Sequence, residues 1–215
     1  MKSPLTTRQH ASAVLALGLP LIGSHLAQFA INVTDAIMLG WYSVESLAAV
    51  VLGGSFFFTT FFVGSGFAWA VMPMVASAAA SGQDAQVRRV TRMAMWLSLA
   101  FGLAVMPMFL FSEPLLLAIG QDPAISALAA DYLKVFGWGI LPALQVMVLK
   151  SYLSGLERTK VLLFITVAGA VLNAVLNYAL IFGNWGAPEM GIRGAAIASV
   201  ILNLVSLAAL AAYAA

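Results

Sequence analysis

A carboxylic acid lies inside an otherwise apolar stretch of this sequence: Asp35, within QFAINVTDAIMLG at residues 28–40. An ionised side chain at the centre of a lipid bilayer costs about 2.5 to 3.5 kcal/mol on insertion scales, and such residues mark ion and proton pathways. Burial disfavours the charged form of a carboxyl, so a bound cation or proton would offset the cost. Asp35 is therefore the first candidate for chemistry in this chain.

Other polar side chains recur on the helical face that carries Asp35. His25, Gln28 and Asn32 precede it, and successive members of the set are separated by three, four and three residues. Residues at these spacings lie along one side of a helix. We predict that His25, Gln28 and Asn32 line a polar pocket or pathway and do not face lipid.

Two later apolar segments each carry a pair of polar side chains one helical turn apart: Asn173 with Asn177, and Ser199 with Asn203. Amide and hydroxyl oxygens suit a hard cation. We predict a cation- or proton-binding site formed by four side chains: Asp35, Asn173, Asn177 and Ser199. If the ion is Na⁺, its expected ligands are Asp35, Asn173 and Asn177, and Asn203 is a further lining residue.

A purely structural interpretation must be weighed against this site. Intramembrane Asn and Ser often join helices through hydrogen bonds worth ~0.6 kcal/mol per pair on average, and a single histidine such as His25 is more often a packing residue. That interpretation would suffice for the amides and the hydroxyl alone. The carboxyl of Asp35 favours a functional site instead, because an acidic side chain inside the membrane is too costly to be kept for packing alone.

The composition identifies the class of protein. Of the 215 residues, 62% are hydrophobic and 8% charged, whereas an ordinary soluble domain is about 45–50% apolar and about 25% charged. These values predict an integral membrane protein. A net charge of +2 leaves no basic surface for nucleic acid. The absence of cysteine excludes disulfides, thiolate metal sites and cysteine nucleophiles within this chain.

No motif indicates an enzyme. Ser65 lies in VGSGF, which does not match the G-x-S-x-G nucleophile motif, and the two histidines, His10 and His25, have no evident general-base arrangement. We predict no enzymatic activity and no cofactor other than Na⁺ or H⁺ as a coupling ion.

Six segments are long and apolar enough to cross a membrane, since a spanning helix needs about 20 residues. They are residues 14–40, 47–76, 90–111, 132–155, 161–182 and 192–215. The predicted fold class is an all-α, polytopic bundle of six transmembrane helices that forms one unit over residues 1–215. Pro20 is expected to bend the first helix.

Basic residues lie mostly on one side of the membrane in this arrangement. The side of the N-terminus holds Lys2, Arg8, Arg88, Arg89, Arg92, Arg158 and Lys160, and the opposite side holds Lys134 and Arg193. By the positive-inside rule, both termini are cytoplasmic. At ~1.5 Å per residue, Asp35, Asn177 and Ser199 then lie roughly 7 to 11 Å below the outer helix ends. Their equal depth supports one shared pocket.

Several motifs resemble the N-terminal half of multidrug and toxic compound extrusion (MATE) transporters. In family order they are LGLPL, NVTDAIMLG, ESLAAV, SGLERTK, VLNAVLNYALIFG and GAPEMGIRGAAIAS. The GAPE loop and the amide at Asn177 are similar to the NorM-type branch. By this resemblance Asp35, Asn173 and Asn177 match a cation or proton site, Ser199 matches a threonine-bearing position, and Pro20 matches a helix bend.

The resemblance implies an antiporter in the bacterial inner membrane that couples Na⁺ or H⁺ influx to export of organic cationic and hydrophobic compounds. Such transporters have two six-helix lobes, so we expect this chain to be a fragment or a split half. Its partners would be the lipid bilayer, small organic cations, and either the missing C-terminal six-helix lobe or a second copy. Two alternatives stay open: a lipid-linked oligosaccharide flippase of the same superfamily, and a half with only a structural role.

Overall fold

The computed structural model describes residues 7–214, which form eight α-helices. These are α1 (Thr7–Tyr42), α2 (Val44–Ala80), α3 (Asp84–Leu110), α4 (Ser112–Ala118), α5 (Pro123–Phe136), α6 (Ile140–Gly155), α7 (Thr159–Phe182) and α8 (Gly191–Ala214). Short 3-10 turns occupy Gly137–Gly139 and Asn184–Gly186. The described part of the chain contains no strand.

Six helical segments are long and apolar enough to span a membrane, as the sequence predicted. Five are single helices, and the fourth runs continuously over Pro123–Gly155 because the turn at Gly137–Gly139 joins α5 to α6. The prediction of 132–155 for this span was too short. Asp122 caps α5, since its Oδ1 accepts hydrogen bonds from the amides of Ala124 at 2.9 Å and Ile125 at 3.1 Å. Pro123 fills the first helical position, which proline favours.

Helix α1 lies at the edge of the bundle and packs mainly on α7. Only four of its described side chains are buried, namely Pro20, Ser24, Ile31 and Leu39. The fourth span, by contrast, is the most buried of the six. The contact of α1 with α7 is the most extensive between two helices in the described structure, and this is the contact at which Asp35 lies.

Two contacts hold the end of the bundle at which α1 ends and α8 begins. Arg193 on α8 donates to both carboxylate oxygens of Asp131 on α5, at 2.6 and 2.7 Å. The ring of Tyr42, at the end of α1, covers Gly191, where an added Cβ would lie 2.8 Å from the ring. These contacts bring the ends of α1, α5 and α8 together above the level of Asp35.

Helices α7 and α8 cross closely at Gly194. A Cβ built on Gly194 would overlap the backbone carbonyl of Leu180, and neither backbone can move aside cheaply. Glycine at this position therefore sets the spacing of the two helices near the polar residues of α7.

Replacing Gly194 by alanine should lower the free energy of unfolding by about 1–3 kcal/mol, the usual cost of overpacking. The matched control is Gly54→Ala, because nothing lies within 4 Å of a Cβ built there. Thermal unfolding of both variants in the same detergent checks the difference. Equal melting temperatures for the two variants would contradict the close crossing.

Candidate functional site

The site lies where α1 packs on α7. Asp35 on α1 is half-buried, while Asn173 and Asn177 on α7 are both fully buried. Asn173 and Asn177 are one helical turn apart, so their amides face the same side of α7. The structure therefore brings together three of the four side chains that the sequence predicted.

A chain of hydrogen bonds links these three side chains. Asn177 donates from Nδ2 to Oδ1 of Asp35, and the same nitrogen lies 3.3 Å from Oδ1 of Asn173. The amide of Asn173 also lies near the Asp35 carboxylate, although its Nδ2 has no hydrogen-bond acceptor. The carboxylate is thus approached by neutral amides from two successive turns of one helix.

Two polar atoms of this cluster lack partners. Oδ1 of Asn177 and Nδ2 of Asn173 are buried without a hydrogen bond, and each unsatisfied buried group costs about 1–3 kcal/mol. Within residues 7–214, the one ion pair is that of Arg193 with Asp131, so Asp35 has no cationic partner there. A buried carboxylate without a counter-charge is unfavourable unless a cation or proton neutralises it.

The donor set fits a hard monovalent cation as well as a proton. A carboxylate oxygen and amide oxygens are the ligands that such cations accept, and rotating either amide by half a turn exchanges its oxygen and nitrogen. One carboxylate and two amides are oxygen donors without imidazole or thiolate, so their chemistry favours a hard ion such as Na⁺ or a proton over a soft transition metal. Which ion binds stays a prediction.

Tyr132 on α5 is a neighbour of the site that the sequence analysis missed. Its side chain is 5% exposed, and its phenol is close enough to interact with the charge of Asp35. A Cβ built on Gly53 would lie 3.0 Å from its ring, so α2 holds the ring in place. The predicted start of the fourth span at residue 132 put Tyr132 at the membrane surface, whereas the observed start at Pro123 puts it inside.

The predicted residues of α8 are not joined to Asp35. Ser199 is half-buried and makes no side-chain hydrogen bond with Asp35, Asn173 or Asn177 in the described structure. Asn203 faces the turn between α5 and α6, where its Nδ2 would lie 3.7 Å from a Cβ built on Gly139. These positions leave the role of Ser199 in ion binding a prediction.

The polar stripe of α1 is exposed and has one contact with another helix. His25, Gln28 and Asn32 are all exposed, and Gln28 accepts a hydrogen bond from Nζ of Lys150 on α6 at 3.3 Å. Apart from this bond, the described side chains give the stripe no hydrogen-bond partner. Three polar residues at membrane depth need water or further protein on that face.

Pro20 lies in the first part of α1, where it is buried. Proline has no amide proton and removes one hydrogen bond from the helical ladder, which weakens the helix locally. The carbonyl of Pro20 accepts a hydrogen bond from Oγ of Ser24 at 2.9 Å. Helix α1 runs without a break through Pro20, so the bend stays a prediction; the position lies about four turns from Asp35 at 3.6 residues per turn.

Comparison with known proteins identifies relatives across nearly the whole chain. The MatE family model matches residues 20–179. "Probable multidrug resistance protein NorM" of Rhizobium meliloti is 49% identical over 199 residues, which cover 93% of this chain and 43% of that protein. The protein of the same name from Agrobacterium fabrum is 43% identical over 204 residues, covering 95% and 44%. The chain thus spans less than half the length of these relatives.

Solved structures share the fold. An outward-facing multidrug resistance MATE family transporter of the MOP superfamily superposes with a TM-score of 0.84 at 23% identity, covering 94% of this chain and 44% of that one. A MOP superfamily transporter from Pyrococcus furiosus gives a TM-score of 0.83 at 23% identity, with the same coverage. The predicted resemblance is confirmed by sequence and by fold, and the chain belongs to the MatE family of membrane transporters.

Proposed function

We propose that this chain is one six-helix lobe of a multidrug efflux antiporter, in which Asp35 binds the coupling ion, Na⁺ or H⁺. The observation that carries the proposal is a half-buried carboxylate that accepts a hydrogen bond from the amide of Asn177, which also contacts Asn173, and that has no cationic partner among the described residues. Because no other group neutralises it, this carboxylate can bind a cation or a proton and release it again. The names of the relatives support drug efflux over export of lipid-linked sugars.

In this mechanism Asp35 exchanges its bound ion in step with a movement of α1. When Asp35 is neutralised, the amide of Asn177 loses an ionic acceptor, and the strongest hydrogen bond between α1 and α7 weakens. This change acts within the α1–α7 contact, the most extensive between two helices in the described structure. Pro20 is the proposed bending point, so that ion binding selects one of two conformations of α1.

The exposed stripe of α1 is the proposed wall of the substrate pathway. His25, Gln28 and Asn32 would face a second six-helix lobe, and relatives about twice as long as this chain support such a lobe. Polar residues that line a cavity between two lobes can tolerate membrane depth because water fills that cavity. Small organic cations are the proposed substrates, and the cytoplasm is the proposed side of uptake.

Replacing Asp35 by asparagine should abolish coupled efflux in the full-length transporter, because the neutral amide keeps the shape but cannot carry the ion's counter-charge. We expect at least about a tenfold loss of rate, equivalent to 1.4 kcal/mol or more. The measurement is drug efflux from proteoliposomes under an imposed Na⁺ or pH gradient. Asp122→Asn is the matched control, since Asp122 is an exposed helix cap and asparagine also caps helices.

Wild-type efflux by the Asp35→Asn variant would remove this carboxyl from the mechanism. Comparing the Na⁺ gradient with the pH gradient in the same vesicles identifies the coupling ion.

Substitutions at Asn177 and Asn32 should separate ion binding from substrate recognition. Asn177→Leu removes the amide that contacts Asp35, so the affinity for the coupling ion should fall about tenfold or more. Asn32→Leu alters only the exposed stripe and should leave that affinity unchanged while shifting the range of exported drugs. Ion-dependent tryptophan fluorescence of the purified transporter measures the affinity. An unchanged affinity in Asn177→Leu would exclude the amide as part of the ion site.

The proposed orientation, with both termini in the cytoplasm of a bacterial cell, can be tested with two matched cysteine variants. Gln83 lies in the α2–α3 turn and Gln121 lies between α4 and α5, and both are exposed. This chain has no native cysteine. A membrane-impermeant maleimide applied to intact spheroplasts should label Gln121→Cys and should label Gln83→Cys only after lysis. The opposite pattern would invert the orientation.

A further inference from the structure

A groove separate from the Asp35 site runs between α2 and α3. It consists of two adjoining cavities of about 430 and 470 Å³, which share Met74, Gln86 and Val90. Gly82, with φ of +67°, makes the tight turn that folds the start of α3 back against the end of α2. The groove therefore begins at the connection between the two helices and extends into the bundle surface.

The lining of the groove changes from polar to apolar along its length. Near the turn it is lined by Ser77, Ser81, Gln83 and Gln86. Farther along, it is lined by Phe67, Val71, Met93 and Leu97. Along α2, the distance from Ser81 to Phe67 is about 21 Å at ~1.5 Å per residue. One leaflet has a similar thickness, because it consists of half of the ~30 Å hydrocarbon core together with its headgroups.

The groove is also positively charged where its two cavities join. Arg89 lines the second cavity one turn along α3 from Gln86, which lines both, and the exposed Arg88 and Arg92 lie within one turn of it. None of the three forms an ion pair within residues 7–214. Cations near the positive end of a helix dipole are unfavourable, and Asp84 is the one acidic residue in the first turn. An anion bound here would relieve that repulsion.

We propose that this groove binds an anionic phospholipid from the leaflet on the arginine-rich side. The phosphate contacts Arg89 and the nearby glutamine and serine side chains, and one acyl chain lies along the apolar part of the groove. Basic pockets between transmembrane helices bind anionic headgroups in this way. If both termini are cytoplasmic, as proposed above, the arginine-rich side is the cytoplasmic leaflet. Lipid binding in the groove does not otherwise depend on the proposed function or on ion coupling at Asp35.

The shape and charge of the groove select against other occupants. A soluble phosphate would use the arginine but leave the apolar half unfilled. An organic cation would suit the apolar half but meet the repulsion of the arginines. A phospholipid with net negative charge matches both parts of the groove. Its headgroup fits the polar and basic part near the membrane surface, and its acyl chain fits the apolar part deeper in the bilayer.

The test measures lipid binding to the full-length protein, using phosphatidylglycerol and phosphatidylcholine with identical acyl chains. Native mass spectrometry from detergent counts the bound lipid, and thermal unfolding measures the stabilisation. We expect phosphatidylglycerol to bind about tenfold more tightly than phosphatidylcholine, because both lipids carry a phosphate but the arginines repel the positively charged choline group of phosphatidylcholine. Arg89→Gln should remove most of that preference. Arg158→Gln, an exposed arginine outside the groove, should keep it.

A second pair of variants tests the apolar half without changing charge. Ala70 lines the groove and is exposed, so Ala70→Trp should fill it and weaken phosphatidylglycerol binding. Ala104→Trp, on an exposed face of α3 outside the groove, should have no effect. Equal binding of the two lipids, retention of the preference in Arg89→Gln, or equal stabilisation by inorganic phosphate would each overturn the proposal. Loss of drug efflux in Asp35→Asn with lipid binding unchanged would show that the two proposals stand separately.

Discussion

The contact between Asp35 and the buried amide of Asn177 is the interaction on which the rest of the structure depends. A carboxylate in an apolar bundle is tolerated only if neighbouring groups donate to it or an ion neutralises it. Here one donor is in place, and two more polar atoms of the amides remain unsatisfied. The cluster is therefore poised between two charge states, and both the stability of the α1–α7 contact and the proposed coupling follow from that balance.

Helices α1 and α7 differ in how they are packed. Gly194 lets α8 approach the backbone of α7, and the fully buried Asn173 and Asn177 lie on that helix. Helix α1 has few buried side chains, lies at the edge and packs mainly on α7. In the proposed mechanism, the carboxyl that binds the ion lies on the helix that moves, and its amide donors lie on the helix packed between α1 and α8.

Apolar length was enough to predict the six spans, and the matching depths of Asp35 and Asn177 predicted that they lie in one pocket. The spacing of one turn put Asn173 beside Asn177. Apolar length could not place Tyr132, because α5 starts at the cap formed by Asp122, ten residues before Tyr132, and not where the strongly apolar run begins. Nor could it orient α8: the depth of Ser199 matched that of Asp35, but depth along a helix does not determine rotation about its axis. The distribution of Lys and Arg residues predicted how the chain is oriented in the membrane. The α2–α3 groove could not be predicted from the sequence, because it depends on how the two helices pack.

The outward face of α1 bears on how such a protein is made. As this lobe leaves the ribosome and enters the bilayer, His25, Gln28 and Asn32 have only the single bond from Lys150 to satisfy them among the described groups. Lipid tails offer no substitute. In the proposed two-lobe arrangement, a second lobe would cover these side chains, so the same residues proposed to line the substrate pathway also give the two lobes a thermodynamic reason to associate.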